Sequence, residues 1–190
     1  RLVTKLEARY AAFDGLNLTW ETLEGIVKHN GPLTGPLGSG GELPEAIREF
    51  NAVFDLRLDS FASLEAQAAA IADDVAYNNH DIDDGLRAGL FTVDDLLPLP
   101  LVGPVFREVM AAHPSLERSR LIHESVRRLM SLMVDDILRE TNRRMSVLRL
   151  RTAEDVRSCG QAVIGFSDEM RVSDRALRSF LFSQIGRAHV

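Results

Sequence analysis

The feature that most constrains the fold is a long helical pattern in the middle of the chain. Between Ser63 and Gly89, apolar residues recur at spacings of four and seven, which is the period of one face of an α-helix. This apolar stripe consists of Leu64, Ile71, Val75, Ile82 and Leu86. The pattern predicts a helix, capped by Ser60 or Ser63, that packs the stripe against a core and presents its opposite face outward.

The other segments carry the same helical period, so the chain is predicted to be all-α. Helices are predicted from Thr19 to about His29, after Thr92, from Val105 to Ala112 and from Ser119 to about Met145, with further N-cap signals at Thr152 and Ser173. A loop rich in glycine and proline is predicted from Pro32 to Pro44. Trp20, just inside the first of these helices, is expected to anchor a core.

Composition narrows the classes of function. Of the 190 residues, 45% are hydrophobic and 26% are charged, as in an ordinary globular domain. The net charge of −6 argues against a general affinity for nucleic acid or anionic lipid. No apolar run approaches the roughly 20 residues that a membrane-spanning helix needs. The single cysteine, Cys159, suits a reducing compartment. We therefore expect a cytoplasmic protein that is not bound to a membrane or to nucleic acid.

Both ends of the chain suggest a fragment that is truncated on either side. The first residue, Arg1, is apparently already inside a helix, without a methionine or a capping residue before it. The last six residues, IGRAHV, match one reading frame of a common sequencing adapter and follow an amphipathic run that stops abruptly. Residues 185–190 are therefore predicted to be a non-native tail.

The polar face of the central helix is a candidate binding site. Asp73, Tyr77 and Asp81 follow one another at spacings of four, which places them on one slowly winding face. They form a row about 12 Å long, since each helical residue rises 1.5 Å. Two carboxylates on either side of an aromatic ring could hold a cation, pack on a sugar and accept a hydroxyl hydrogen bond. The alternative is a solvated acidic face. Tyr77, Asn78 and Asn79 interrupt the charges with weak helix formers, which favours the binding interpretation.

Three segments of the chain resemble a known enzyme family. They are GLNLTWETLEGIVKHNGP (Gly15 to Pro32), SLEAQAAAIADDVAYNNHDIDDGLRAGL (Ser63 to Leu90) and, more weakly, IGFSDEMRVSDRALRSFLF (Ile164 to Phe182). The second segment resembles the A-D-[DE]-x-x-Y-x-x-x-D motif of the deoxynucleoside triphosphate triphosphohydrolases of the HD superfamily, the group named for cleavage of deoxyguanosine triphosphate. The resemblance, to the bacterial branch of triphosphohydrolase-like proteins, implies a multi-helix, HD-domain-like bundle. Residues 1–184 would be its C-terminal part.

The resemblance also implies roles for particular residues. Asp73 would be the last ligand of a divalent metal ion, which the ligand types leave open among Mn, Mg, Fe, Co, Ni and Zn. Tyr77 would pack on the deoxyribose and exclude a 2′-hydroxyl, and Asp81 would bond the 3′-hydroxyl. Lys28 would contact the triphosphate, with His29 beside it in the pocket wall. The family's other metal ligands and catalytic groups lie upstream of Arg1, so no catalytic residue is expected within this chain.

The activity implied by the resemblance is hydrolysis of a deoxynucleoside triphosphate to a deoxynucleoside and inorganic triphosphate, in an enzyme that is expected to be a homo-oligomer. The fragment alone is expected to be inactive. The alternative is a helical nucleotide-binding or oligomerisation module without catalysis. The segment from Arg118 to Arg151 holds nine arginines, which could line a regulatory nucleotide site or a subunit interface, or could form the wet face of a long helix.

Overall fold

A computed structural model describes residues 1–38 and 40–185, and within these residues every regular element is helical. A π-helical turn, Leu2–Leu6, comes first. Eight helices follow: α1 (Trp20–Val27), α2 (Glu45–Val53), α3 (Leu64–Ala88), α4 (Val93–Leu96), α5 (Val102–Ala112), α6 (Arg118–Leu148), α7 (Ala153–Ser158) and α8 (Asp168–Ile185). The predicted all-α fold class is therefore confirmed.

The helices form two compact units, each with its own core. The first unit comprises Arg1–Ala70 and Arg144–Val163, and the second comprises Ile71–Arg143 together with residues 164–185. The boundaries fall within α3 and within α6, so each of these two helices contributes residues to both units.

The first unit has a small apolar core. Leu23, Leu56 and Leu58 are buried there. Trp20 packs against them, and its indole N–H donates a hydrogen bond of 2.7 Å to the carbonyl oxygen of Asp55. The prediction that Trp20 anchors a core is confirmed. Ala62, Val156 and Val163 are also buried in this unit, and the charged residues Glu24 and Lys28 share its interior.

The second unit has the larger core, formed by α3, α5, α6 and α8 and the segments between them. Its fully buried side chains include Ile82, Leu86, Phe106, Leu129, Met133 and Leu177. The predicted apolar stripe of α3 supplies Val75, Ile82 and Leu86 to this core. Gly85 lies against the ring of Phe91 so closely that a Cβ atom would approach Phe91 Cε1 to 2.2 Å. A side chain at position 85 would therefore expel Phe91.

Several helix ends match their sequence signals. The Thr19 hydroxyl accepts from Thr22 N–H, and both Thr92 and Thr152 form capping boxes. Ser63 Oγ accepts from Ala66 N–H at 3.3 Å at the start of α3. Helix α2 was not predicted, and α5 begins at Val102, before the predicted start, because Gly103 and Pro104 are tolerated within its first turn.

One predicted helix start was wrong. Ser173 lies inside α8, whereas Ser167 precedes the helix and its hydroxyl accepts from Met170 N–H. Asp136, a buried carboxylate on α6, accepts from the backbone N–H and the hydroxyl of Ser167 at 2.8 Å each. The helix start is set by this contact across the fold, which local sequence spacing does not reveal.

Two expectations concern the whole chain. No helix among residues 1–38 and 40–185 combines the length and the apolar character that crossing a membrane requires. Of the predicted non-native tail, Ile185 is the last residue of α8, and residues 186–190 lie outside the described part of the chain. That prediction therefore stays untested.

The position of the α8 cap can be tested by unfolding in urea. Ser167→Ala removes the cap and the hydroxyl hydrogen bond to Asp136, while the backbone N–H of residue 167 still donates, so the free energy of unfolding should fall by about 1 to 2 kcal/mol. Ser173→Ala is the matched control and should change it by less than about 0.5 kcal/mol. A loss at Ser173 that equals or exceeds the loss at Ser167 would contradict the assignment.

Candidate functional site

The predicted row on α3 lies on an outward face of the second unit. Asp73 is exposed, and the Tyr77 side chain is 67% exposed. Asp81, two helical turns beyond Asp73, is half-buried. Within the described residues no hydrogen bond or ion pair engages these three side chains, so the row is free to receive a ligand.

Asp73 and its neighbour Asp74 have different environments because consecutive helical residues point about 100° apart. The Asp74 carboxylate pairs with the guanidinium of Arg178 on α8, with a shortest distance of 3.1 Å from Nη2 to Oδ2. Asp73 has no such cation among the described residues. The geometry therefore favours Asp73 over Asp74 as the carboxylate that is available to a cation.

Asn78 and Asn79 serve the fold, which removes one argument for a ligand. Asn78 Nδ2 donates to Asp174 Oδ1 at 2.8 Å, and Asn79 Nδ2 donates to the Val75 carbonyl oxygen at 2.8 Å. Both residues are buried. The interpretation of these amides as a sign of binding was wrong: they point inward, away from the row.

Arg178 on α8 bonds one carboxylate of its own helix and one carboxylate of α3. Its Nε donates to Asp174 Oδ2 at 2.8 Å, while its other nitrogens reach Asp74. Asp174 is only 4% exposed, and this burial raises the pKa of its carboxyl, although Arg178 and Asn78 act in the opposite direction. This cluster of Asp74, Asn78, Asp174 and Arg178 holds the helix that carries the row.

Asp81 is a partly desolvated carboxylate. Its partial burial and the negative charge of nearby Asp84 raise the pKa of the Asp81 carboxyl, and His80 opposes them. A carboxylate that has lost part of its water and has no protein partner gains by accepting a hydrogen bond from a ligand hydroxyl. The environment of Asp81 thus suits its predicted role as an acceptor for a sugar hydroxyl.

Lys28, the residue predicted to contact the triphosphate, is buried in the first unit. Its ammonium lies 2.8 Å from Glu24 Oε1 and also donates to Ser60 Oγ at 3.0 Å and to the Arg57 carbonyl oxygen at 3.1 Å. The side chains of Lys28 and Glu24 are both 0% exposed. Burial lowers the pKa of Lys28, and the hydrogen bond to Glu24 opposes that change. In this conformation the ammonium has no free donor for a phosphate.

The carboxylate of Glu24 also receives an arginine from α7. Arg157 Nε and Nη2 donate to Glu24 Oε1 and Oε2 at 3.0 and 3.1 Å. The guanidinium lies over the Trp20 ring, 5.0 Å from its centroid. Beside them, Arg57 forms a two-point ion pair with Glu154. The first unit therefore encloses a network of charges that joins α1 to α7.

His29 is exposed and lines a cavity of about 710 Å³ in the first unit. Lys28 does not line this cavity, whereas Arg157 does. The adjacent KH pair is thus divided between the interior, where Lys28 lies, and the cavity wall, where His29 lies. A role of either residue in holding substrate stays a prediction.

Sequence reasoning missed Arg178, Asp174 and Arg157. The spacing of four between Asp174 and Arg178 is a visible helical ion-pair signal, but their contacts with α3 come from chain positions about a hundred residues away. Arg157 follows the Thr152 capping box, and nothing local indicates that its partner is Glu24. The missed residues share one cause: each depends on a long-range contact.

The described residues supply too few ligands for a metal ion on their own. No group of three or more His, Cys, Asp or Glu side chains within residues 1–38 and 40–185 is arranged to hold a metal. Asp73 fits as one ligand of a set, since a carboxylate suits any of the divalent ions considered. A complete site needs donors beyond those described.

The basic segment on α6 forms ion pairs. Arg127 and Arg128 both bond Glu124, and Arg143 bonds Glu140. These pairs connect residues three or four apart on a largely exposed helix. They agree with the interpretation of this segment as the wet face of a long helix.

The raised pKa of Asp174 gives a testable pH dependence. The folded state holds this proton more tightly than the unfolded state, so ionisation should lower the free energy of unfolding as pH rises above about 4. Asp174→Asn removes that contribution. Its stability relative to the unaltered chain should therefore improve with pH between about 4 and 7, as measured by urea unfolding. Asp168→Asn, at an exposed site on the same helix, is the control. Parallel curves for Asp174→Asn and the unaltered chain would contradict this assignment.

Comparison with known proteins places the chain among relatives with a consistent name. It is 57% identical over 187 residues to a deoxyguanosinetriphosphate triphosphohydrolase-like protein of Parvibaculum lavamentivorans, covering 98% of the chain and 47% of the relative. Proteins of the same name from Azorhizobium caulinodans and Rhizobium meliloti are 55% and 52% identical, with 98% of the chain covered in each case. No family model matches the chain. The chain spans about half the length of these curated relatives. It is thus homologous along nearly all of its length to deoxyguanosinetriphosphate triphosphohydrolase-like proteins, which confirms the resemblance found in its sequence.

Proposed function

We propose that this chain contributes part of the active site of a deoxynucleoside triphosphate triphosphohydrolase, which cleaves its substrate to a deoxynucleoside and inorganic triphosphate. The observation that carries the proposal is the row of Asp73, Tyr77 and Asp81, exposed or half-buried and without protein partners in the described chain. The homologues' name supports the substrate class.

The row suits a deoxynucleotide through complementary contacts. Tyr77 offers an exposed aromatic face on which a deoxyribose ring can pack, and close packing leaves no room for a 2′-hydroxyl. Asp81, one turn further along α3, accepts the 3′-hydroxyl hydrogen bond. The Asp174–Arg178 cluster holds α3 from its other side and so fixes the direction of both side chains.

Asp73 is proposed as one ligand of a divalent metal ion. When bound, such an ion supplies polarisation of the attacked phosphate and lowers the pKa of a coordinated water. Asp73 contributes a charged oxygen at the end of the row, while Asp74 is held by Arg178 and stays out of the coordination sphere. HD-type ligands outside the described residues would complete the set.

Lys28 and His29 are proposed to act on the triphosphate under different conditions. His29 is already on a cavity wall and can donate directly. Lys28 must first exchange Glu24 and the surrounding oxygen atoms for phosphate oxygens. The proposed role of Lys28 therefore requires a rearrangement of the first unit on substrate binding.

The proposal includes self-association and a cytoplasmic location. Helix α6 exposes Met130, Val134 and Leu138 at spacings of four, which is an apolar stripe suited to another protein surface. The same stripe favours the alternative function, a helical oligomerisation module without catalysis. A measurement of triphosphohydrolase activity distinguishes the catalytic function from the oligomerisation module.

The metal role can be tested in a chimera in which residues 1–184 replace the matched segment of the Parvibaculum relative. This chimera should release triphosphate from deoxyguanosine triphosphate, and the 190-residue chain alone should not. Asp73→Asn should lower kcat/KM at least about a hundredfold, because even the loss of groups that only orient a metal ligand costs ten- to a hundredfold.

Asp74→Asn is the matched control for Asp73→Asn, and it should retain most of the activity. Circular dichroism of each variant checks that α3 remains folded. Near-normal turnover of Asp73→Asn together with a severe loss in Asp74→Asn would move the ligand by one residue. An inactive chimera that is folded would favour the module without catalysis.

Sugar selectivity tests the other two residues of the row in the same chimera. Tyr77→Ala should raise activity on the ribonucleotide relative to the deoxyribonucleotide, because the excluded 2′-hydroxyl gains space. The unaltered chimera should reject a 2′,3′-dideoxynucleotide by at least roughly tenfold, and Asp81→Ala should remove most of that preference. The measurement is kcat/KM for the three sugar forms of one base. Unchanged ratios in both variants would show that the row does not touch the sugar.

A further inference from the structure

Small residues and one largely buried cation are among the residues that line the cavity of the first unit. Its volume is about 710 Å³, and Gly25, Ala66 and Ala69 line it together with Arg157 and His29. Helices α1 and α3 approach closely here, since a Cβ atom on Gly25 would lie 2.8 Å from Ala66 Cβ. The lining thus combines small side chains with the guanidinium-bearing residue Arg157.

Arg157 is held in place before any ligand arrives. Two of its nitrogens, Nε and Nη2, bond the buried carboxylate of Glu24, and its plane is supported by Trp20. The third nitrogen, Nη1, has no partner among the described residues. The side chain is 11% exposed. A guanidinium fixed along one edge loses little entropy when its remaining N–H groups donate to an anion.

The buried network also carries more positive than negative charge. Glu24 contributes one carboxylate, whereas Lys28 and Arg157 contribute two cations that are almost removed from water. The neighbouring Arg57–Glu154 pair is balanced within itself. An excess positive charge in a desolvated place is stabilised by an anion that can reach it. An anion can reach this positive charge through the cavity, because Arg157 belongs to the network and also lines the cavity.

We propose that this cavity is a binding site for a phosphate oxyanion, with the free edge of Arg157 as its main donor and His29 as a second. The ligand can be a free polyphosphate or the triphosphate of a nucleotide, because the guanidinium of Arg157 would contact only the phosphate oxygens. Two exposed carboxylates, Glu21 and Glu65, also line the cavity, and their negative charges repel the anion. The proposed function already assigns His29, on the wall of this cavity, to the substrate triphosphate, so this inference rests on that proposal and deepens it by adding Arg157 as a donor. Binding of tripolyphosphate is measured without hydrolysis, so a failure of this inference can be told apart from a failure of the proposed function.

The experiment is calorimetric titration of the 190-residue chain with inorganic tripolyphosphate at low ionic strength. Arg157→Gln removes the donor and should weaken binding at least about tenfold, since a hydrogen bond to a charged group carries that much affinity. Arg151→Gln, an exposed arginine of the same unit that does not line the cavity, is the control and should change affinity less than about twofold.

A second pair of variants keeps the test decisive if Arg157→Gln fails to fold. Ala69→Glu adds a carboxylate to the cavity wall at an exposed helical position and should also weaken binding at least about tenfold. Ala68→Glu, exposed on the same helix but outside the cavity lining, is its matched control. Glu65→Gln should tighten the binding of tripolyphosphate, because it removes a carboxylate that repels the anion.

Further titrations distinguish the two sources of the anion. Affinity for deoxyguanosine triphosphate equal to that for tripolyphosphate, with no competition from 2′-deoxyguanosine, identifies a free polyphosphate site. Tighter binding of the nucleotide that is lost in Ala69→Glu identifies the triphosphate of a nucleotide. Equal affinities for Ala69→Glu, Ala68→Glu and the unaltered chain, or no binding of tripolyphosphate at millimolar concentration, would overturn the proposal.

Discussion

The first unit depends on a single buried carboxylate. Glu24 lies on α1, bonds Lys28 one turn further along the same helix, and accepts both Arg157 hydrogen bonds from α7, 133 positions away in the chain. A carboxylate removed from water without partners would cost several kcal/mol, and removal of one member of such a pair typically costs about 3 to 5 kcal/mol. Val156 on α7 is buried as well, so apolar burial and the contacts of Glu24 together hold α7 in this unit. The charge network therefore stabilises the fold of this unit, and binding of a ligand by its cations would be a second role.

In the second unit the polar contacts have a different purpose. Apolar burial along α3, α5, α6 and α8 is extensive, so the fold does not need the Asp74, Asn78, Asp174 and Arg178 cluster to collapse. The cluster instead determines which way α3 is turned, because hydrogen bonds are directional and the apolar contacts are not. One face of α3 is fixed to the core and to α8, and the face that remains carries Asp73, Tyr77 and Asp81 without competing protein contacts.

The sequence predicts well whatever depends on local spacing. The period of Val75, Ile82 and Leu86 located the core face of α3, and the caps at Thr19, Thr92 and Thr152 were correct because a cap bonds within three residues. The predictions were wrong where the position of a side chain depends on a partner that is distant in the sequence. Ser167 caps α8 with the help of Asp136, Lys28 is enclosed by Glu24 and by carbonyl oxygens from residues 57 and 61, and Asn78 turns inward toward Asp174. The candidate row was found from its spacing, but the ion pair with Arg178 that distinguishes Asp74 from Asp73 could be seen only in the fold.

The adjacency of Asp73 and Asp74 bears on how this protein can evolve. Two neighbouring carboxylates have different surroundings only because α3 is an unbroken helix whose phase is fixed by Val75, Ile82 and Leu86. Inserting or deleting one residue between Ile71 and Leu86 would rotate everything beyond it by about 100° and would exchange outward and inward side chains. Outside the row of Asp73, Tyr77 and Asp81, lineages can therefore vary the amino acids on the outer face of α3, and they can vary the length of the glycine- and proline-rich loop before α2. The number of residues in this stretch of α3 is a harder constraint than the identity of most of them.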